Sequence, residues 1–116
     1  MKRLFWLLSQ LRAWLNKRFV RSYRTRIIDR DLPTWLQRRT VYLIQEDGFS
    51  EHVSMLCPCG CGQILHMNLI PDERPCWQAT EHLDGTLSLH PSIWRKKGCK
   101  SHFWFRRGRV HWCETQ

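Results

Sequence analysis

Cys57-Pro58-Cys59-Gly60-Cys61-Gly62 sets three thiols within five residues, interleaved with a proline and two glycines. Thiolates are soft donors that suit zinc, and a structural zinc takes four ligands in a tetrahedron. Gly60 and Gly62 let the backbone curl around an ion, and Pro58 stiffens the start of the turn. One turn does not readily supply all four ligands, so a second half-site is expected elsewhere. Cys99-Lys100-Ser101-His102 offers one, a C-x-x-H step with chelate spacing. Residues 57–62 and 99–102 are therefore expected to close on one Zn2+, with ligands drawn from Cys57, Cys59, Cys61, Cys99 and His102. Spacing does not choose among the five.

Two other uses of the cysteines compete with this one. Six is an even number, which would suit a secreted disulfide scaffold. The cysteines bunch at 57–61 rather than spreading along the chain. The apolar N-terminal run is broken by Gln10 and Arg12 and lacks a small-residue cleavage site. The expectation is a reducing, cytoplasmic setting. Free thiols packed as small hydrophobes are the other alternative, and Cys76 and Cys113, which have no chelating neighbour, are read that way.

At 116 residues the chain makes one domain and at most an appendage. A core this small gains folding free energy from a metal. The net charge of +9 resembles a nucleic-acid signature until it is divided. Residues 1–40 hold eleven Lys/Arg and two Asp/Glu, whereas residues 41–116 hold eight of each. The basicity thus belongs to an N-terminal arm, and nucleic acid ranks low as a partner. The remainder is uneven too. Residues 41–94 carry seven carboxylates against Arg74 alone, and residues 95–109 carry seven basic residues and no acid. Such a separation could steer a basic segment toward the middle of the chain or an acidic one toward its end.

Leu4, Leu7, Leu8, Leu11, Trp14, Leu15 and Phe19 recur at steps of three and four, a helical stripe flanked by Lys2, Arg3, Arg12, Lys17, Arg18 and Arg21. Residues 1–22 are expected to form a basic amphipathic arm, suited to peripheral contact with an anionic membrane surface or to a partner groove. The stripe is too short and too interrupted to span a bilayer. Residues 23–116 are expected to form a zinc-binding β-rich domain. Strands are predicted at 23–29, 41–44, 52–56 and 64–70. A hairpin is predicted for 77–82 and 86–90 around Asp84-Gly85, and another for 102–106 and 110–112 around Arg107-Gly108. Pro91-Ser92-Ile93 is read as the stop of its strand, and Trp35-Leu36 as a turn or short helix. The fold class is small α+β, mostly antiparallel β with a zinc-stabilised core and an N-terminal amphipathic helix. Trp77, Trp94, Trp104 and Trp112 are assigned to the core.

Three separated motifs, Cys57-Pro58-Cys59-Gly60-Cys61-Gly62, His90-Pro91-Ser92-Ile93, and Cys99-Lys100-Ser101-His102-Phe103-Trp104 with Gly108-Arg109-Val110-His111-Trp112, together carry a likeness. Over roughly residues 23–113 the chain resembles a family of small bacterial proteins encoded beside bacterial ubiquitin-like (Bub) conjugation genes. The resemblance implies a peptidase that processes or removes the ubiquitin-like protein, with serine chemistry and a bound metal. The implied partner is the ubiquitin-like protein or its conjugates.

Serine chemistry needs a base within hydrogen-bond reach of the hydroxyl. Ser92 follows a proline in what reads as a bend, where a hydroxyl can be exposed. His102 lies ten residues on, with Ser101 as a second hydroxyl beside it. If His102 is the base, the metal takes Cys57, Cys59, Cys61 and Cys99. If His102 is a ligand, the base must be His66, His82 or His90. The resemblance favours functional roles for Ser92 and His102. Asp72 and Asp84 sit in turn contexts and are not taken as a third member. The competing reading is a non-enzymatic zinc-ribbon-like module that binds protein or nucleic acid through residues 95–109. A catalytic metal ranks last, because thiolate-rich sites are usually closed.

Overall fold

The structure is a computed structural model that describes residues 2–15 and 22–113. It begins with α1, Lys2–Leu15, whose Leu4, Trp6, Leu7, Leu8 and Leu11 are exposed. The last residue of the expected stripe, Phe19, lies outside the described residues. Among the described residues, no helix is long and apolar enough to cross a membrane.

Eight strands follow, and they divide at the loop between Asn68 and Gln78. The first sheet runs β1 (Arg24–Asp29), β2 (Thr40–Glu46), β3 (Phe49–Leu56) and β4 (Ile64–Asn68), hydrogen-bonded in that order. The second runs β5 (Gln78–Glu81), β6 (Leu87–Trp94), β7 (His102–Arg106) and β8 (Arg109–Trp112). Alternation explains how they meet. Val41, Leu43, Val53, Met55, Leu65 and Met67 point inward from the first sheet, and Leu87, Leu89, Ile93, Phe103, Phe105 and Val110 from the second. They form one buried cluster, so the sheets pack face to face as a sandwich. Cys57 joins the rim of that cluster at 3 % exposure, which ties the thiol turn to the core.

The expectations for Pro91-Ser92-Ile93 and for the tryptophans need correcting. The strands are mostly antiparallel, as expected, with β1–β2 the one parallel pair among the described residues. A parallel pair needs a crossover rather than a tight turn, and residues 30–39 supply it. They run over the outer face of β2, where Tyr42 and Ile44 are fully buried and the Gln37 N–H donates to the Tyr42 hydroxyl at 2.9 Å. This segment contains no helix at Trp35-Leu36, and Trp35 is exposed. Pro91-Ser92-Ile93 does not end its strand: β6 continues to Trp94 through a bulge between Leu89 and Ile93. Leu89 faces Phe105 and Ile93 faces Phe103, so β6 takes four steps where β7 takes two. Finally, the tryptophans lie outside the core cluster. Trp94 and Trp112 are exposed, and Trp77 is half-buried against the core.

Candidate active site and metal centre

β-strands alternate their side chains, and the register of the second sheet sorts its residues into two faces. Leu89, Ile93, Phe103 and Phe105 point into the core. His102, Trp104 and Arg106 on β7 therefore point outward, with His90 and Trp94 on β6 beside them. The bulge carries Ser92 onto the same face. Its Oγ lies 2.9 Å from His102 Nε2, and both side chains are half-buried, open to a reactant. Ser92 falls in neither the β5 nor the β7 register, because the β5 ladder ends at His90 and the β7 ladder breaks between Leu89 and Ile93. The Trp77 indole N–H donates to the Ser92 carbonyl at 3.3 Å and anchors the bulge from behind. The His102 imidazole stacks on Trp94, with ring centroids 4.9 Å apart and an interplanar angle of 18°.

Among the described residues, two other serine–histidine pairs occur. Ser54 Oγ lies 2.7 Å from His66 Nδ1, but Ser54 is fully buried and no substrate carbonyl could reach it. Ser88 Oγ lies 2.6 Å from His82 Nε2 and also accepts the Arg107 N–H at 2.8 Å, which occupies the hydroxyl from the β7–β8 turn. His90 packs obliquely on Trp104, with centroids 5.8 Å apart. Asp84 Oδ1 accepts from both the N–H and the hydroxyl of Thr86, bonds that hold its carboxyl below the ordinary value and mark it as a turn residue. Asp72 is an exposed residue of the loop after β4.

The thiols gather at the seam between the sheets. The Sγ atoms of Cys57, Cys59, Cys61 and Cys99 all lie within 4.8 Å of one another. Cys57 Sγ is 3.4 Å from Cys59 Sγ and 3.7 Å from Cys99 Sγ. Four thiolates at about 2.3 Å from a tetrahedral zinc would stand about 3.8 Å apart, so the donor set fits such an ion. His102 is outside this group. Ser101 is buried on the cysteine side, with its hydroxyl 3.2 Å from Cys99 Sγ and 3.6 Å from Cys57 Sγ, and not against the imidazole. Burial pushes the Cys57 thiol up to about 12, whereas the Ser101 hydroxyl and backbone N–H bring Cys99 down to about 6. A coordinated dication would override that difference, because a ligating thiol loses its proton outright. Arg95 Nη1 lies 3.7 Å from Cys61 Sγ and 3.6 Å from Cys99 Sγ, a cation against the sulfurs. Cys76 and Cys113 are half-buried free thiols away from the cluster.

The roles of Trp94, Trp77 and Arg95 in this arrangement escaped the sequence reading. An indole carries the same letter whether it fills a core or stacks on a histidine. Only the four-residue spacing of Arg95 to Cys99 hinted at the cation.

Among known proteins, the family model described as "Bacterial ubiquitination-like system serine protease (BubE)" matches residues 28–113. No match is found among curated proteins or among solved structures.

Proposed function

The chain belongs to the family of bacterial ubiquitination-like system serine proteases, and from that premise we propose that Ser92 is its nucleophile and His102 its base. The observation that carries the reading is the 2.9 Å contact from Ser92 Oγ to His102 Nε2 on an open sheet face. That distance is within the reach a general base requires. Ser92 Oγ attacks the scissile carbonyl carbon while its proton passes to His102 Nε2. The carbonyl oxygen takes up the electron pair, and the Ser92 N–H, outside either ladder, serves as a donor to that oxyanion. Pro91 has no N–H and contributes none. Collapse of the tetrahedral species breaks the C–N bond, and His102 returns the proton to the leaving amine. Water, giving its proton to His102, then adds to the acyl carbon; the bond to Ser92 Oγ breaks, the acid leaves, and His102 returns the proton to Oγ.

The metal in this reading is Zn2+, held by Cys57, Cys59, Cys61 and Cys99, with no open position and a purely structural part. Ser101 hydrogen-bonds to the sulfurs, and Arg95 offsets their negative charge. Cys99 lies in the loop between the strands of nucleophile and base, so closing the thiol site fixes both. The substrate is the flexible C-terminal tail of a ubiquitin-like protein, cut either to mature it or to release it from a conjugate.

The test is cleavage of a ubiquitin-like protein bearing a C-terminal extension, followed by mass spectrometry. Ser92→Ala should abolish cleavage while metal content and the unfolding midpoint stay at wild-type values. Retained cleavage would refute the assignment.

A further inference from the structure

The face that carries Ser92 and His102 is lined by aromatic rings and cations. At one end Lys96 Nζ sits 5.6 Å from the Trp94 ring, which in turn stacks on His102. At the other end the Arg106 guanidinium lies 4.6 Å over Trp104, whose ring packs on His90. Between Trp104 and β5 is a hollow of about 250 Å³ lined by Thr80, Ser88, Leu89, His90, Trp104 and Arg106. Arg109, opposite Arg106 in the β7–β8 register, shares the face.

No carboxylate is among the residues that line the hollow. Glu46, Asp47 and Glu51 belong to the β2–β3 hairpin, Asp72 and Glu73 to the β4–β5 loop, and Asp84 to the β5–β6 turn, where it bonds Thr86 and faces His82 and Arg107. Glu81 pairs with the core residue Leu87 and so has the opposite parity. The carboxylates of residues 41–94, which suggested attraction of a basic segment, therefore do not line the hollow.

We infer that this hollow is a specificity subsite for an acidic peptide segment: an extended chain running along β6 and β7, with one of its carboxylates on Arg106 and an apolar group against Trp104. The inference rests on Ser92 and His102 being the reacting pair, and it names the kind of tail they act on. Arg106 is four residues from His102 along β7, about 13 Å at strand spacing. An extended substrate covers the same distance in about four residues, which sets where the carboxylate must lie relative to the scissile bond. It can be a Glu or Asp side chain or the chain's own terminus. Arginine accommodates either through paired N–H donors.

The experiment uses the full chain with Ser92→Ala, which cannot turn over its ligand. Fluorescein-labelled decapeptides differ at a single residue, Glu, Gln or Lys, four positions from the centre, and each is made with a free and an amidated C-terminus. Anisotropy should rank Glu above Gln above Lys, with Glu and Lys about tenfold or more apart. Arg106→Glu, a change at an exposed position, should reverse the order, and Trp104→Ala should weaken all three alike. Discrimination confined to the free-terminus peptides supports the subsite and identifies the chain end as its ligand. Equal binding of Glu and Lys peptides, no measurable binding of either, or an unchanged order in Arg106→Glu overturns the inference. So does a single-stranded oligonucleotide that displaces the Glu peptide more readily than unlabelled peptide does, since the face would then be a nucleic-acid surface. The nucleophile is checked separately with a fluorophosphonate, which has no peptide part and labels Ser92 whether or not the subsite exists.

Discussion

A general base must be held at the right angle, and in many serine hydrolases a carboxylate holds the imidazole. For His102, the base proposed above, the ring that meets it among the described residues is Trp94, stacked at 18°. Trp94 faces His102 directly in the β6–β7 register, so the strand pairing itself sets the contact. An aromatic pair contributes about 0.5–1.5 kcal/mol beyond simple burial. Loss of that restraint should let the imidazole leave the attack geometry for part of the time. Trp94→Ala is expected to lower kcat by up to about tenfold with a smaller effect on KM. Trp94→Phe should recover most of the loss, because it restores a ring in the same place. An exposed residue packs little core, so the urea midpoint should hardly move. Equal kcat in wild type and Trp94→Ala would show the stacking to be incidental. This contact was not legible beforehand, whereas the thiol cluster was, and the reason is physical. Cys57, Cys59 and Cys61 are brought together by one turn, so spacing alone reveals them, while Trp94 meets His102 only after two strands have found their register.

The same contrast holds for the elements. Both hairpins of the second sheet were readable, because Asp84-Gly85 and Arg107-Gly108 are turn chemistry between alternating strands. The bulge in β6 was not. Proline lacks a ladder N–H and reads as a strand stop, yet it is tolerated at bulges, where no ladder bond is lost. The direction of the β1–β2 pair was not readable either: it depends on where residues 30–39 cross, and nothing in either strand encodes that. The β7–β8 turn supports a quantitative prediction. Gly108 has φ +71°, and a Cβ there would come 3.1 Å from the Tyr23 carbonyl oxygen. That carbonyl cannot readily retreat, since the Tyr23 N–H is itself bonded to the Gly108 carbonyl at 2.6 Å. Gly85 has φ +86° but open space around it. A left-handed backbone costs an L-residue about 1–2 kcal/mol. Gly85→Ala should lose about that much in urea unfolding, and Gly108→Ala clearly more. Equal losses would mean that the Tyr23 contact relaxes freely.

For the whole molecule, the question is what the thiol site holds together. Cys57 closes β3 of the first sheet, and Cys99 sits in the loop joining β6 to β7 of the second. An ion shared between them would staple the sandwich at the end where Ser92 and His102 lie. The core beneath is closed by side chains alone: Val41, Val53, Met55, Phe103 and Phe105 are fully buried in one cluster. Cys57 alone belongs to both core and cluster, and a buried thiol packs as a small hydrophobe once the metal leaves. The other three cysteines are exposed, and without the ion nothing would draw all their sulfurs together. Chelation should therefore abolish cleavage while the sandwich persists. Hydrogen exchange checks this directly. Amides in residues 57–62 and 95–101 should lose protection on metal removal, those of Val53, Met55, Phe103 and Phe105 should keep it, and added Zn2+ should restore both protection and activity. Loss of protection throughout the chain would instead make the ion a condition of folding, as in domains where binding and folding free energies coincide. Full activity in metal-free protein would separate the thiol site from the catalytic face altogether.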